Sequence, residues 1–195
     1  MSNIKYGEHD AIKDYVTLRG MTKLIKNKAI REFTEHMMDN EVPEYFRTVP
    51  ASSSGKYHPV YALGDGGLVR HTIAAVKFVV HITSLEYLRI DPITRDKMIS
   101  ATILHDAFKQ GRKGETGHTV KDHAKVAHDE IVKCAALIDD MEETGDSIAK
   151  LVLSHMGSWG ANKPGNRISF LVHLADYLAS RKDILIDFDF PTEIR

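Results

Sequence analysis

The stretch MISATILHDAFKQGRKG, residues 98–114, decides how the chain is read. Its first half sets Ile99, Ile103 and Leu104 at the three-to-four-residue spacing of an apolar helical face. Upstream, Asp91 and Pro92 supply an N-cap and a first-turn proline, so a helix is predicted from residue 92 towards His105. The second half, basic and interrupted by Gly111 and Gly114, reads as a loop that runs on as GRKGETG. His105 and Asp106 stand at the junction. Working outward, helical periodicity recurs over 22–39 (Leu24, Ile25, Phe33, Met37), 68–84, 121–142, 146–155 and 166–180. Gly145, Gly157, Gly160, Pro164 and Gly165 punctuate these helices. Between the first two, EVPEYFRTVPASSSGKYHP (41–59) breaks the pattern with three prolines, three serines and a glycine, and Gly64, Gly66 and Gly67 close it. Such a connection can line a site. Only 184–190 alternates as a strand would, so the expected fold class is all-α.

At 195 residues one domain with one core is expected. Hydrophobic residues at 43% and charged residues at 27% match an ordinary folded chain. The formal net charge of -1 gives no overall field toward nucleic acid or an anionic membrane, so any polyanion must be held locally. The apolar stretch 68–88 is interrupted by Arg70, His71, Lys77, His81 and Glu86, which excludes a membrane span there. MSNIKYGEHD lacks the features of a secretory signal, and a cytoplasmic location is the expectation. Cys134 is the only cysteine, so no internal disulfide can form, and it reads as a small buried residue. No P-loop or dinucleotide-binding glycine motif is present.

The unusual number is 11 histidines, since imidazole is the commonest metal ligand. His105 and Asp106 together offer a mixed donor pair. Asp176 lies in FLVHLADYLAS among Leu171, Leu174, Ala175, Tyr177 and Leu178, where a carboxylate must be paired, coordinated or costly. His71 follows GDGGLVR, and His155 ends IAKLVLSH just before glycine. In the segment HTVKDHAKVAH, spacing alone does not choose among His118, His123 and His128. Lys109 follows Asp106 by three residues, a helical spacing that puts both on one side. Arg70, Arg112 and Lys113 are weaker candidate phosphate contacts than Lys109, and Trp159 in GSWGANKPG is a candidate for stacking on a base. His173 is a candidate supporting partner for the site.

The order His71, His105-Asp106, His123, His155, Asp176 resembles the HD-domain phosphohydrolase superfamily. Five separated blocks carry the resemblance: GGLVRHT, ILHDAFK, DHAKVAHDEI, LSHMGSWG and HLADYLASR. It covers residues 57–181, with 1–56 as an N-terminal helical segment and connection packed on that core and 182–195 as a tail. The GGL..HT and LSH..G blocks are similar to those in the catalytic domain of bacterial 3'-to-5' exoribonucleases. The segment before Tyr57 is too short and too helical for the OB-type domain those enzymes carry. Small phage-type HD nucleotide hydrolases, dATP triphosphohydrolases among them, fit the size. HD-GYP phosphodiesterases share the ligand order, but MGSWG follows here where their GYP would.

The resemblance implies a single helical HD domain in which His71, His105, Asp106 and Asp176 hold one divalent cation. By the same resemblance Asp106 would bridge to a second, completed by His123 and His155. Imidazole mixed with carboxylate suits Mn, Fe, Co, Ni or Zn better than an all-oxygen Mg site. Asp106 and Lys109 are then the catalytic residues, with Lys109, Trp159 and Arg70 on the substrate. The expected substrate is a small nucleotide, hydrolysed at a phosphate ester or anhydride. Short RNA is the alternative substrate, and a nucleotide-sensing module without turnover is the alternative from another class.

Overall fold

A computed structural model describes residues 10–52, 55–115, 117–184 and 186. Seven α-helices form among them: α1 (Ala11–Gly20), α2 (Lys28–His36), α3 (Gly67–Ser84), α4 (Pro92–Leu104), α5 (His123–Ala135), α6 (Glu142–Leu153) and α7 (Arg167–Ala179). No strand forms among the described residues, in keeping with the all-α expectation. The strand-like stretch 184–190, apart from residues 184 and 186, lies outside the described residues, as do Ser53 and Ser54 of the SSSG loop and Thr116 of GRKGETG. Among the described residues no helix is long and apolar enough to cross a membrane.

Helix α3 is the centre of the bundle. Leu68, Val69, Ile73, Ala74, Ala75, Val76, Val79 and Val80 are all buried, so it has no wide solvent face. It packs against α7, α4 and α1, while α6 packs on α5 and α4. Two glycines seat its start. Gly66 is left-handed at φ 69, and a β-carbon on Gly67 would collide with the Ala62 carbonyl oxygen. Around them Gly66 N–H donates to Thr48 O at 2.8 Å and Leu68 N–H to Val49 O at 2.9 Å. The proline-rich connection is thereby tied to the end of α3 that bears His71.

Local signals hold where caps decide. Asp91 caps α4 by accepting from Thr94 N–H, with Pro92 in the first turn, and Asn166 caps α7 in a capping box with Ser169. The predicted helix over 22–39 is divided instead. A 3-10 turn covers Met21–Leu24, Ile25 is extended, and α2 starts at Lys28 under an Asn27 cap. The cause is tertiary: the backbone N–H groups of Lys26 and Asn27 donate to the buried carboxylate of Asp96 on α4, at 2.9 and 2.6 Å. Helix α1 has no clean apolar stripe, with Ile12 and Val16 exposed and only Leu18 buried. An Asp10 cap and an ion pair from Asp14 to Arg70 hold it.

The boundary between α5 and α6 also differs from the expected one. It falls at 136–141, with Asp140 left-handed at φ 58, and Gly145 lies inside α6. A side chain on Gly145 would collide with the Ala135 methyl, so this glycine brings two helices close and does not end one.

Candidate metal centre

Five elements converge on one buried point. His71 sits in the second turn of α3, His105 caps the C-terminus of α4, and His123 opens α5. His155 follows the end of α6, and Asp176 lies near the end of α7. Three of these histidines are oriented alike. Nδ1 of His105 is 2.7 Å from Thr102 O, Nδ1 of His155 is 2.7 Å from Val152 O, and Nδ1 of His123 is 3.1 Å from Val120 O. A carbonyl only accepts, so in each ring Nδ1 carries the proton and donates, and Nε2 of the neutral ring presents its lone pair inward.

The inward atoms meet at short range. His71 Nε2 lies 3.0 Å from Asp176 Oδ1 and 3.3 Å from His105 Nε2, and His105 Nε2 lies 3.5 Å from Asp176 Oδ1. Asp106 Oδ2 is 3.8 Å from His71 Nε2 and 3.7 Å from His105 Nε2. On the other side, Asp106 Oδ1 is 2.9 Å from His123 Nε2 and 3.5 Å from His155 Nε2, with those two nitrogens 3.3 Å apart. Asp106 therefore belongs to two groups of donors, His71-His105-Asp106 and Asp106-His123-His155, each with its donor atoms within 4.8 Å of one another.

These residues fit a divalent cation. Asp106 Oδ1 is buried and accepts no hydrogen bond, although two imidazole nitrogens face it. Converging lone pairs and a carboxylate oxygen, out of water, repel unless positive charge lies between them. Protons can serve: burial pushes the His105 imidazole down, but the Asp106 and Asp176 carboxylates outweigh it and leave its pKa raised. Burial likewise opposes ionisation of Asp106, yet the Lys109 ammonium and His105 hold it well below the usual carboxylate range. Asp176 is held low against burial by His105 and His71. The centre is built around anionic carboxylates that require a positive partner.

The other expected site residues separate into three outcomes. Lys109 places Nζ 2.6 Å from Asp106 Oδ2 on the wall of a cavity of about 140 Å³, and Trp159 lines the same cavity. His173 is a support, its Nδ1 2.6 Å from His155 O and its ring filling the space beside left-handed Gly157. Arg70 is corrected. It is buried away from the cavity lining, donating to Tyr61 O, Leu63 O and the Asp14 carboxylate, so its guanidinium anchors the connection and α1. Arg112 and Lys113 are also engaged elsewhere, on Glu130 and on Asn40 O. Of the three histidines that spacing left open, His123 reaches Asp106, His118 is exposed and His128 pairs with Asp129.

Sequence reasoning missed His58, Met156, Tyr177 and Ser180, which complete the cavity wall. His58 is the notable one. Its ring centroid is 5.5 Å from that of His71, its Nδ1 is buried without a hydrogen bond, and burial pushes its pKa down to about 4. The signal was present only as a histidine inside the connection already expected to line a site. Nothing in KYHP distinguishes it from a surface histidine, since the approach of 41–59 to α3 is a tertiary event.

The chain is 26% identical over 132 residues to the dihydroneopterin 2',3'-cyclic phosphate phosphodiesterase of Methanocaldococcus jannaschii, a match over 67% of this chain and 52% of that protein. The chain thus spans about half the length of this curated relative. No solved structure matches it at the same level of significance. The HD domain profile matches residues 68–181, the segment that contains all six converging side chains, from His71 to Asp176. With that match over more than half its length, and histidines and aspartates meeting in the order the profile spans, the chain belongs to the HD domain family of metal-dependent phosphohydrolases.

Proposed function

We propose that this chain is a divalent-metal-dependent phosphohydrolase that cleaves a phosphate ester or anhydride of a nucleotide or nucleotide-like compound. The observation that carries the reading is Asp106, a buried carboxylate shared between two donor groups with one oxygen left without a hydrogen bond. Two cations of the Mn, Fe, Co, Ni or Zn class, held by His71, His105, Asp106 and Asp176 and by Asp106, His123 and His155, would polarise phosphate oxygens and acidify a water. In the net reaction the water oxygen bonds to phosphorus, the phosphorus–oxygen bond to the leaving group breaks, and the proton lost by the water balances the leaving oxygen.

The remaining work falls to this chain's own side chains. Lys109, on the cavity wall beside Asp106, offers an ammonium to the incoming phosphate oxygens. The rings of His71, His105, His123 and His155 and the carboxyl of Asp106 are almost fully buried, which excludes bulk water and strengthens every charge interaction there. The unit proposed to bear the activity is 57–181. The relative's name favours one subclass, hydrolysis of a cyclic phosphate diester attached to a heteroaromatic ring.

The test is to incubate the protein with Mn and a panel comprising ribo- and deoxyribonucleoside triphosphates, a nucleoside 2',3'-cyclic phosphate, a cyclic dinucleotide and a short RNA. Products are resolved by ion-exchange chromatography beside Asp106→Ala. Product from one class, lost in the variant, is expected. Undiminished hydrolysis by Asp106→Ala overturns the proposal, and tight binding without product in any divalent metal supports the nucleotide sensor.

A further inference from the structure

The cavity at the metal centre is small. At about 140 Å³ it lies well under the roughly 300–1,000 Å³ of sites that hold whole small molecules, so it has room for a phosphate group and little else. The rest of any substrate must extend through an opening. The structure has one beside it, a second pocket of about 400 Å³ lined by Tyr57, His58, Trp159, Ser180 and Arg181. His58, Trp159 and Ser180 line both cavities, so the two adjoin along that wall.

The outer pocket has a distinctive chemistry. Tyr57 and Trp159 are large aromatic side chains left 61% and 67% exposed on the lining of this one pocket, with the Lys56 ammonium 5.2 Å from the Tyr57 ring centroid. Trp159 stacks on Tyr177, centroids 5.9 Å apart and planes 15° from parallel. Arg181 lies with Cζ 5.4 Å over the same Tyr177 ring, adding a planar donor to the pocket edge. His58 supplies a buried, unpartnered Nδ1 on the wall common to both spaces. Rigid aromatic faces with polar donors at the rim are how proteins bind planar heterocycles without reading a strand.

We propose that the pocket lined by Tyr57, His58, Trp159, Ser180 and Arg181 is a ring-binding subsite that selects phosphate compounds carrying a planar heteroaromatic ring. A purine and a pterin share that chemistry. The assignment rests on the phosphohydrolase reading for its biological use, but the subsite itself binds the ring whether or not phosphate is cleaved. Trp159 and Tyr57 stack on the ring, and Arg181 and His58 meet its polar edge or the linker toward phosphorus.

Trp159 is the only tryptophan, so its fluorescence reports directly on the pocket. The full-length protein is titrated with guanosine, cytidine and ribose 5-phosphate while that fluorescence is followed. Neopterin, which absorbs where tryptophan emits, is titrated by calorimetry, as is guanosine with each variant. Saturable binding of the ring compounds without phosphate, and none of ribose 5-phosphate to the metal-free protein, is expected. Trp159→Ala should weaken ring binding about tenfold or more, with Trp159→Phe largely restoring it, and Tyr57→Ala should act in the same direction. Preference for guanosine over neopterin, or the reverse, names the ring source. Absence of ring binding, or unchanged affinity in both Trp159→Ala and Tyr57→Ala, overturns the subsite. Neither result depends on hydrolysis, so failure here is distinct from loss of the phosphohydrolase reading, which only the Asp106→Ala assay decides.

Discussion

His71 on α3 and Asp176 on α7 meet at 3.0 Å although 105 residues separate them in the chain. Their contact makes α3 and α7, both strongly apolar, walls of one candidate metal site. Asp176→Asn keeps the shape and removes the charge. Loss of a mere supporting partner of a ligand costs about 10- to 100-fold in metal affinity, and loss of a direct donor at least that much. Mn titration followed by calorimetry should show at least this weakening, and wild-type affinity in the variant would remove Asp176 from the ligand set.

Lys109 places its ammonium on the Asp106 carboxylate, at 2.6 Å. Its replacement by Gln removes a charged donor from the cavity without removing a metal donor. A hydrogen bond to a charged group contributes about 1.5–3 kcal/mol, so kcat/KM should fall about 10- to 100-fold with the metal content unchanged. Parallel assay of turnover and of bound metal checks this; equal losses of both would make Lys109 a structural partner of Asp106 only.

Arg70 was expected on the substrate and is found in the frame. Arg70→Leu removes the guanidinium that donates to the Asp14 carboxylate and to the Tyr61 and Leu63 carbonyls. Breaking a buried pair from one side costs about 3 kcal/mol or more. Urea unfolding should show a loss of that order, with activity per folded molecule retained. A raised KM with unchanged stability would return Arg70 to phosphate binding.

Acid sensitivity should reside partly in α1 and the chain around α2. The Glu35 carboxyl is held below its ordinary pKa by a hydrogen bond from Thr22 and by Arg19, and Asp39 by Arg19. A carboxylate lowered on folding stabilises the protein above its unfolded pKa of about 4, and that contribution is lost as pH falls through the lowered value. Arg19→Gln should therefore lower the urea midpoint at pH 7 and lose less on going to pH 3 than the wild type does. A gap between the two proteins that stays constant across this range would contradict the assignment.

Which features were legible from the chain follows from how local their causes are. The Asp91-Pro92 and Asn166 starts rest on side chains within three residues of the groups they cap, and both appear where expected. The break in the helix expected over 22–39 is invisible to local pattern because it depends on Asp96, about 70 positions away. Gly145 reads as punctuation in the sequence because a glycine required by a neighbouring helix leaves the same mark there as one that ends a helix.

By itself the sequence determined the all-α class, the caps and the order of histidines and aspartates that resembles the family, since these depend on residue type, spacing and local hydrogen bonds. Spacing left His118, His123 and His128 open and the resemblance chose His123, which the tertiary structure turns toward Asp106; tertiary structure alone decided that Arg70 is buried in the frame and that His58 joins the cavity wall. The reason is geometric. Helical period tells which residues share a face, but which faces meet is set by the packing of α3 against α4 and α7 and by the connection pinned at Gly66 and Gly67.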